Sequence, residues 1–268
     1  RRRSSAGAMT SSSTSPVAVS NGHNGIRSGC GGGGADNRRP LHISGLILAR
    51  GGSKSLPLKN LVPLCDKPLI SWSLGAMLEF GKFDSVWVST DHDAIADCSQ
   101  VCGARVFRRS PEFAQDSTPS ILSVQEFLGQ HPEVDIVGLI QCTSPFLQPE
   151  FLEQAYKKIL DGYDSVFSVS RQKKFRWKEV PEDGDVSTAP LNFDPSKRPR
   201  RQDWKGDLVE NGMFYFAKRE LVCQKGLLQG GRCSYVEVPS DYSLEIDSSL
   251  DLAFAEQVLA HEYIQTFL

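Results

Sequence analysis

The stretch LHISGLILARGGSKSLPLKN, residues 41–60, decides the fold. Residues 42–49 form a short apolar run, and glycine, serine and cations follow at Arg50, Gly51, Gly52, Ser53 and Lys54. An amphipathic segment at helical spacing then covers 67–80. Strand, loop and helix in that order open a βαβ unit. The cycle repeats downstream: predicted strands at 85–89, 104–107, 135–140 and 164–169 alternate with predicted helices at 93–102, 119–130 and 149–160. This alternation predicts an α/β protein with a mostly parallel sheet flanked by helices on both faces. The rhythm breaks at a polar, proline-rich stretch, 171–206, which is too long for an ordinary connector. It returns with strands at 213–217 and 234–238 and a last helix from 249 to about 264. No internal repeat is visible.

Residues 1–40 read differently from the rest. They are rich in serine and glycine, lack apolar periodicity, and carry six arginines against Asp36 alone. The expectation is a disordered leader ahead of one catalytic domain at 41–268. An arginine- and serine-rich start has the composition of an organelle transit peptide, but no apolar helical stripe accompanies it. With 40% hydrophobic and 23% charged residues the 268-residue chain can bury a core, which excludes a fibrous or wholly disordered protein. Its net charge of −2 hides a domain of −7 once the basic leader is set aside. A nucleic-acid partner is therefore not expected. Seven scattered cysteines, odd in number and without a C-x-x-C pair, favour a reducing compartment and disfavour structural zinc. No run approaches the roughly 20 apolar residues of a membrane-spanning helix, so no membrane partner is expected.

In an open α/β sheet ligands gather outside the carboxyl ends of the strands, so the loop after the first strand is the first place to look. Its glycines let backbone N–H groups approach phosphate oxygens, and Arg50, Lys54 and Lys59 supply the charge that a triphosphate requires. Neither the Walker pattern nor G-x-G-x-x-G is present. Near the carboxyl terminus, alternation along Glu245-Ile246-Asp247 puts two carboxylates on one face with Ile246 on the other, a donor pair suited to Mg²⁺ shared with substrate phosphates. There is no G-x-S-x-G elbow and no His/Cys cluster. His92, between Asp91 and Asp93, is expected to cap the following helix, and Trp72, Met77, Leu78 and Phe80 are expected in the core.

Taken whole, LILARGGSK-x-x-PLKN resembles the signature of the sugar-activating cytidylyltransferases, most closely the CMP-N-acylneuraminate (CMP-sialic acid) synthetases of animals. VWVSTD at 86–91, RRS at 108–110, QCTSP at 141–145, KRPRRQDW at 197–204 and ENG at 210–212 are similar to further motifs of that family. The resemblance covers nearly all of 41–268. It implies a Rossmann-like nucleotidyltransferase domain, CTP and a nine-carbon acidic sugar as partners, assembly as a homodimer, and a reaction in which the anomeric hydroxyl attacks the α-phosphate. It also implies site residues. Arg50, Gly51, Ser53, Lys59, Asn60, Arg109, Thr118 and Ser120 would bind nucleotide, Gln141 and Thr143 the sugar, and Arg200 with Lys54 would act in catalysis, while Glu245 and Asp247 would hold Mg²⁺. The KRPRR segment at 197–201 resembles a nuclear-import signal, so a nuclear location is expected, with the cytoplasm as alternative.

Two departures from the family pattern stand out. Ser55 replaces a common glycine, which would strain the loop if φ is positive there, and Glu245 replaces an aspartate. Cys142 replaces a small apolar residue. Three competing readings follow: a Kdo-type cytidylyltransferase, a nucleotide-binding homologue weakened in catalysis, and a nuclear protein that docks an anionic partner through its basic segments.

Overall fold

A pair of glycines facing each other across two central strands shows how the sheet accepts its covering layer. In the computed structural model, which describes residues 39–53, 56–182, 184 and 187–266, β1 (Ile43–Leu48) places Gly45 opposite Gly138 of a neighbouring parallel strand. The Phe83 ring lies over both, and a Cβ on Gly138 would stand 3.0 Å from it and 3.2 Å from Phe216. Phe83 and Phe216 stack with centroids 5.9 Å apart. The leader expected over residues 1–40 falls almost wholly outside the described residues, as do Lys54 and Ser55. Residues Pro40–Leu268 form one unit by backbone contact.

Beyond β1 the chain makes a small hairpin, β2 (Pro63–Leu64) and β3 (Lys67–Pro68), that leads into α1 (Leu69–Phe80). The alternation then runs β4 (Ser85–Thr90), α2 (Asp93–Val101), β5 (Arg105–Arg108), α3 (Ser120–Gln130), β6 (Ile136–Ile140), α4 (Pro149–Leu160) and β7 (Ser165–Gln172). After the irregular stretch come β8 (Asp207–Lys218), α5 (Arg219–Lys225), β9 (Cys233–Glu237) and α6 (Ser249–Thr266). The seven strands of the main sheet lie in the order β5-β4-β1-β6-β8-β7-β9. All are parallel except β8, which runs antiparallel to β6 and β7.

Period-two alternation divides the core between the two faces. Ile43 and Ile47 of β1 pack with α1, α2 and α4, whereas Leu46 packs with Phe127 of α3 and Leu221 of α5. A third cluster joins Ile246 and Ala255 to Leu64, Leu69 and Phe146, which seats α6 beside the small hairpin. Met77 and Phe80 are buried as expected and Trp72 is half-buried, but Leu78 turns outward with 41% of its surface exposed.

β8 is longer than its apolar half predicts. Residues 207–210 pair with 169–172 of β7, and a register irregularity between Phe167 and Val169 separates this from the pairing of 215–217. The polar stretch between Gln172 and Asp207 is therefore the loop of an antiparallel pair. It leaves and re-enters the sheet at the edge where the parallel strands end.

Gly138→Val should destabilise the fold by about 1–3 kcal/mol, because the added methyls meet the Phe83 and Phe216 rings with no space to enter. A urea-unfolding midpoint unchanged from the parent would contradict this packing.

Candidate active site

The loop after β1 is held from two sides. The Gly51 N–H donates to Asp91 Oδ1 at 2.8 Å, and a Cβ on Gly51 would stand 2.8 Å from the His92 ring. Only glycine fits that approach. His92 occupies the N-cap position of α2, but its side chain makes no capping bond; it packs under Gly51 instead. The chain turns through Leu58 in the left-handed region, φ +48, into a 3₁₀ turn at Lys59–Leu61. That turn sends Asn60 inward, where its amide donates to the Arg50 carbonyl at 3.0 Å and accepts from the Cys142 thiol at 2.7 Å. Burial pushes the Cys142 thiol up to about 12, so it stays protonated and keeps donating.

Two carboxylates occupy the cations of this region. The Arg50 guanidinium pairs with Asp116, and Lys59 Nζ lies 2.9 Å from Asp247 Oδ1. Both partners of the first pair are about a third exposed (34% and 38%), a setting in which an ion pair contributes only about 0.2–1 kcal/mol. A polyanion can displace Asp116 at little cost.

Three cavities meet along the strand-end edge. One of about 350 Å³ is lined by Arg50, Ser53, Lys59, Asn60, Gln141, Thr143 and Glu245. A second, about 260 Å³, shares Arg50 and Gln141 with it and adds Arg109, Thr118 and Ser120. Arg109 is buried, with Nε donating to Ser89 Oγ at 3.0 Å and Nη2 to the Ser89 carbonyl at 2.6 Å. Burial pulls its pKa down, against the opposing pull of Asp91 and Glu126. The third, about 660 Å³, shares Glu245 with the first and is lined by Lys173, Lys174, Arg201, Glu210, Asn211 and Gly212 among others. No ion pair among the described residues engages Lys173, Lys174 or Arg201.

The Glu245-Ile246-Asp247 segment is fixed by the residue two past Gln141. Thr143 accepts from Ile246 N through its carbonyl at 2.8 Å and donates its hydroxyl to Glu245 Oε1 at 3.1 Å. Ile246 is wholly buried, while Glu245 lines the cavity and Asp247 pairs with Lys59. Burial and then the Asp247 charge raise the Glu245 pKa. Two carboxylates in mutual repulsion, beside phosphate-sized space, fit a divalent cation. Among the described residues no group of three or more His, Cys, Asp or Glu side chains could hold one, so water and ligand oxygens would complete its shell.

The structure thus brings Arg50, Ser53, Lys59, Asn60, Arg109, Thr118, Ser120, Gln141, Thr143 and Glu245 to connected cavities, with Gly51 shaping the loop and Asp247 on Lys59. Lys54 lies outside the described residues. Arg200 is not brought there: its guanidinium pairs with Asp203, its side chain is 74% exposed, and Arg201 lines the cavity instead. Residue reasoning missed Asp116, Ser89 and Glu210, and gave Lys173 and Lys174 no role. Signals existed for the lysines in the charge of 171–178 and for Ser89 and Glu210 in the VWVSTD and ENG motifs, but not for Asp116.

The sequence profile of the cytidylyltransferase family matches residues 44–265. The chain is 54% identical over 221 residues to N-acylneuraminate cytidylyltransferase A of Danio rerio, covering 82% of this chain and 51% of that protein. It is 51% identical over 223 residues to N-acylneuraminate cytidylyltransferase of Oncorhynchus mykiss, covering 83% and 51%. The chain spans about half the length of these relatives. Among solved structures, CMP:2-keto-3-deoxy-manno-octonic acid synthetase complexed with CTP shares the fold, with TM-score 0.63 and 19% identity, covering 82% of this chain and 99% of that one.

Because the folded-state pKa of Glu245 lies above its unfolded value, the native state holds the extra proton in the interval between them. The ionised form therefore costs stability above that interval. Glu245→Gln should raise Tm at pH 7–8, with the gain shrinking as pH falls and gone by about pH 4. A loss at pH 7–8, or a gain that grows toward acid, would contradict the burial of this carboxylate.

Proposed function

The chain belongs to the cytidylyltransferase family, and on that premise we propose that it transfers CMP from CTP to the anomeric hydroxyl of an N-acylneuraminate and releases pyrophosphate. One observation carries the choice of second substrate: the cavity holding the uncommitted cations Lys173, Lys174 and Arg201 meets the loop cavity at Glu245. Cations that no ion pair among the described residues engages suit a carboxylate, and the size of the space suits a nine-carbon sugar. The names of the fish relatives support the same substrate class.

In this reading Arg50 and Lys59 exchange Asp116 and Asp247 for phosphate oxygens, and Gly51 and Ser53 line the phosphate path. The base sits by Arg109, Thr118 and Ser120, where the Ser89 contacts fix the guanidinium before ligand arrives. Gln141, at the junction of the two smaller cavities, and Thr143, which orients Glu245, stand between nucleotide and sugar. The hydroxyl oxygen forms its bond to the α-phosphorus while the bond to the β-phosphate oxygen breaks. Charge accumulates on phosphoryl oxygens, so preorganised cations rather than a covalent intermediate supply the acceleration. Glu245 and Asp247 would hold Mg²⁺, which when bound neutralises phosphate charge. Arg201 takes the cationic role on the sugar side that the KRPRR run offers.

Pyrophosphate release from CTP and Mg²⁺, with N-acetylneuraminate, its deaminated analogue KDN and Kdo in parallel, tests this. Release should require a nine-carbon acid, fall about 10²–10³-fold in Arg50→Ala, and fall far more in Arg201→Ala than in Arg200→Ala. CTP binding without release would favour the catalytically weakened homologue, and release with Kdo alone the eight-carbon branch.

Assembly and location extend the proposal. Along α6, Leu250, Phe254 and Val258 form an exposed stripe, which supports a homodimer, and Lys197, Arg198, Arg200 and Arg201 are exposed, which supports nuclear import. Light scattering should give twice the single-chain mass, and a tagged chain should leave the nucleus when Lys197 and Arg200 become alanine. A single-chain mass, or a distribution unmoved by the exchange, would remove the corresponding part.

A further inference from the structure

The cavity that displays Lys173, Lys174 and Arg201 also displays a carboxylate that pairs with none of them. Glu210 stands on β8, with one oxygen accepting from the Tyr215 hydroxyl and the other from Gln229 Nε2 at 2.9 Å. Tyr215 belongs to the same strand beyond Gly212, and Gln229 to the loop between α5 and β9. A glutamate side chain loose among free cations would fold onto one of them and neutralise it. Two neutral donors from separate segments prevent that, and they leave each oxygen a further acceptor site.

Gly212 lines the same cavity and lies between Glu245 and the Tyr215 hydroxyl that holds Glu210. Its φ of +72 suits glycine, and the position a Cβ would occupy lies 3.7 Å from Glu245 Oε2 and 4.0 Å from the Tyr215 hydroxyl. The cavity lining therefore carries both signs of charge, the cations Lys173, Lys174 and Arg201 and the carboxylates Glu210 and Glu245. A ligand complementary to both has one anionic end and an uncharged end rich in hydrogen-bond donors.

We infer that Glu210 is a specificity-determining residue for the second substrate. It accepts hydroxyl or amide N–H donors of a polyhydroxy acid whose carboxylate lies on Lys173, Lys174 and Arg201, and Tyr215 and Gln229 are its positioning residues. The inference rests on the proposed function for the identity of that acid. A ligand that covers Glu210 without offering a donor strips water from its remaining acceptor sites and replaces it with nothing, which is how a polar site rejects near-isosteres strongly.

The test is calorimetric titration of the chain with N-acetylneuraminate, with and without CTP, for the parent, Glu210→Gln, Tyr215→Phe and Gln229→Leu, together with Tm and the KM for each substrate. Glu210→Gln should weaken acid-sugar binding about tenfold or more, as expected for loss of a charged hydrogen-bond acceptor, and leave the KM for CTP within about twofold. The other two variants should weaken it by less. Equal acid-sugar affinity in parent and Glu210→Gln would overturn the inference, as would a parallel rise in both KM values or no binding to the parent under either condition. Binding that behaves as expected without pyrophosphate release would leave Glu210 in place and sink the proposed reaction instead.

Discussion

The site depends on one buried amide. Asn60 is 7% exposed, and through its two ends it ties the carbonyl of Arg50, just past β1, to the thiol of Cys142, just past β6. β1 and β6 are neighbours in the sheet, so this bridge sets the mouth between their loops. A buried amide left without either partner costs about 1–3 kcal/mol, which makes the alternatives to this loop shape expensive. Lys59, its neighbour in the same 3₁₀ turn, reaches Asp247, and so the Glu245–Asp247 segment is drawn to the same point.

Around that fixed point the charges are held weakly. Arg50 and Lys59 rest on carboxylates in partly exposed pairs, whereas Lys173, Lys174 and Arg201 face open space. The proposed reaction needs these cations available at low cost, and exposed pairs release them at about 1 kcal/mol or less. Arg109 is the exception. Its burial demands prior satisfaction, which Ser89 provides through both side chain and backbone.

Much of the scaffold is legible in the chain because each parallel strand is a short apolar run and each helix is periodic. Pro149–Leu160 forms its helix with the expected bounds, started by proline at its first position. The first half of β8 is not legible. Its sequence DLVENG is polar and ends in glycine, and it becomes strand only through pairing with the end of β7. The seven-residue α5 is too short to show a period. In the site, Arg50 is legible because topology puts the loop after the first strand at the strand ends, whereas Arg109 and Gln141 stand out only through the family resemblance. Arg201 rather than Arg200 lines the cavity, because neighbouring side chains in an irregular loop point apart in ways that no spacing encodes. Asp116 carries no signal in the chain because its significance is a tertiary contact, and Glu210 is marked there only by the ENG motif.

In the proposed reaction the arginine–glycine loop and the adjoining Arg109 cavity bind nucleotide before any sugar is present. Equilibrium titration with CTP in Mg²⁺, set beside ATP and GTP, tests it most directly. Binding should be saturable, prefer CTP, and weaken about tenfold or more when either Arg50 or Arg109 becomes alanine. Binding indifferent to both arginines, or no CTP binding at all, would contradict it.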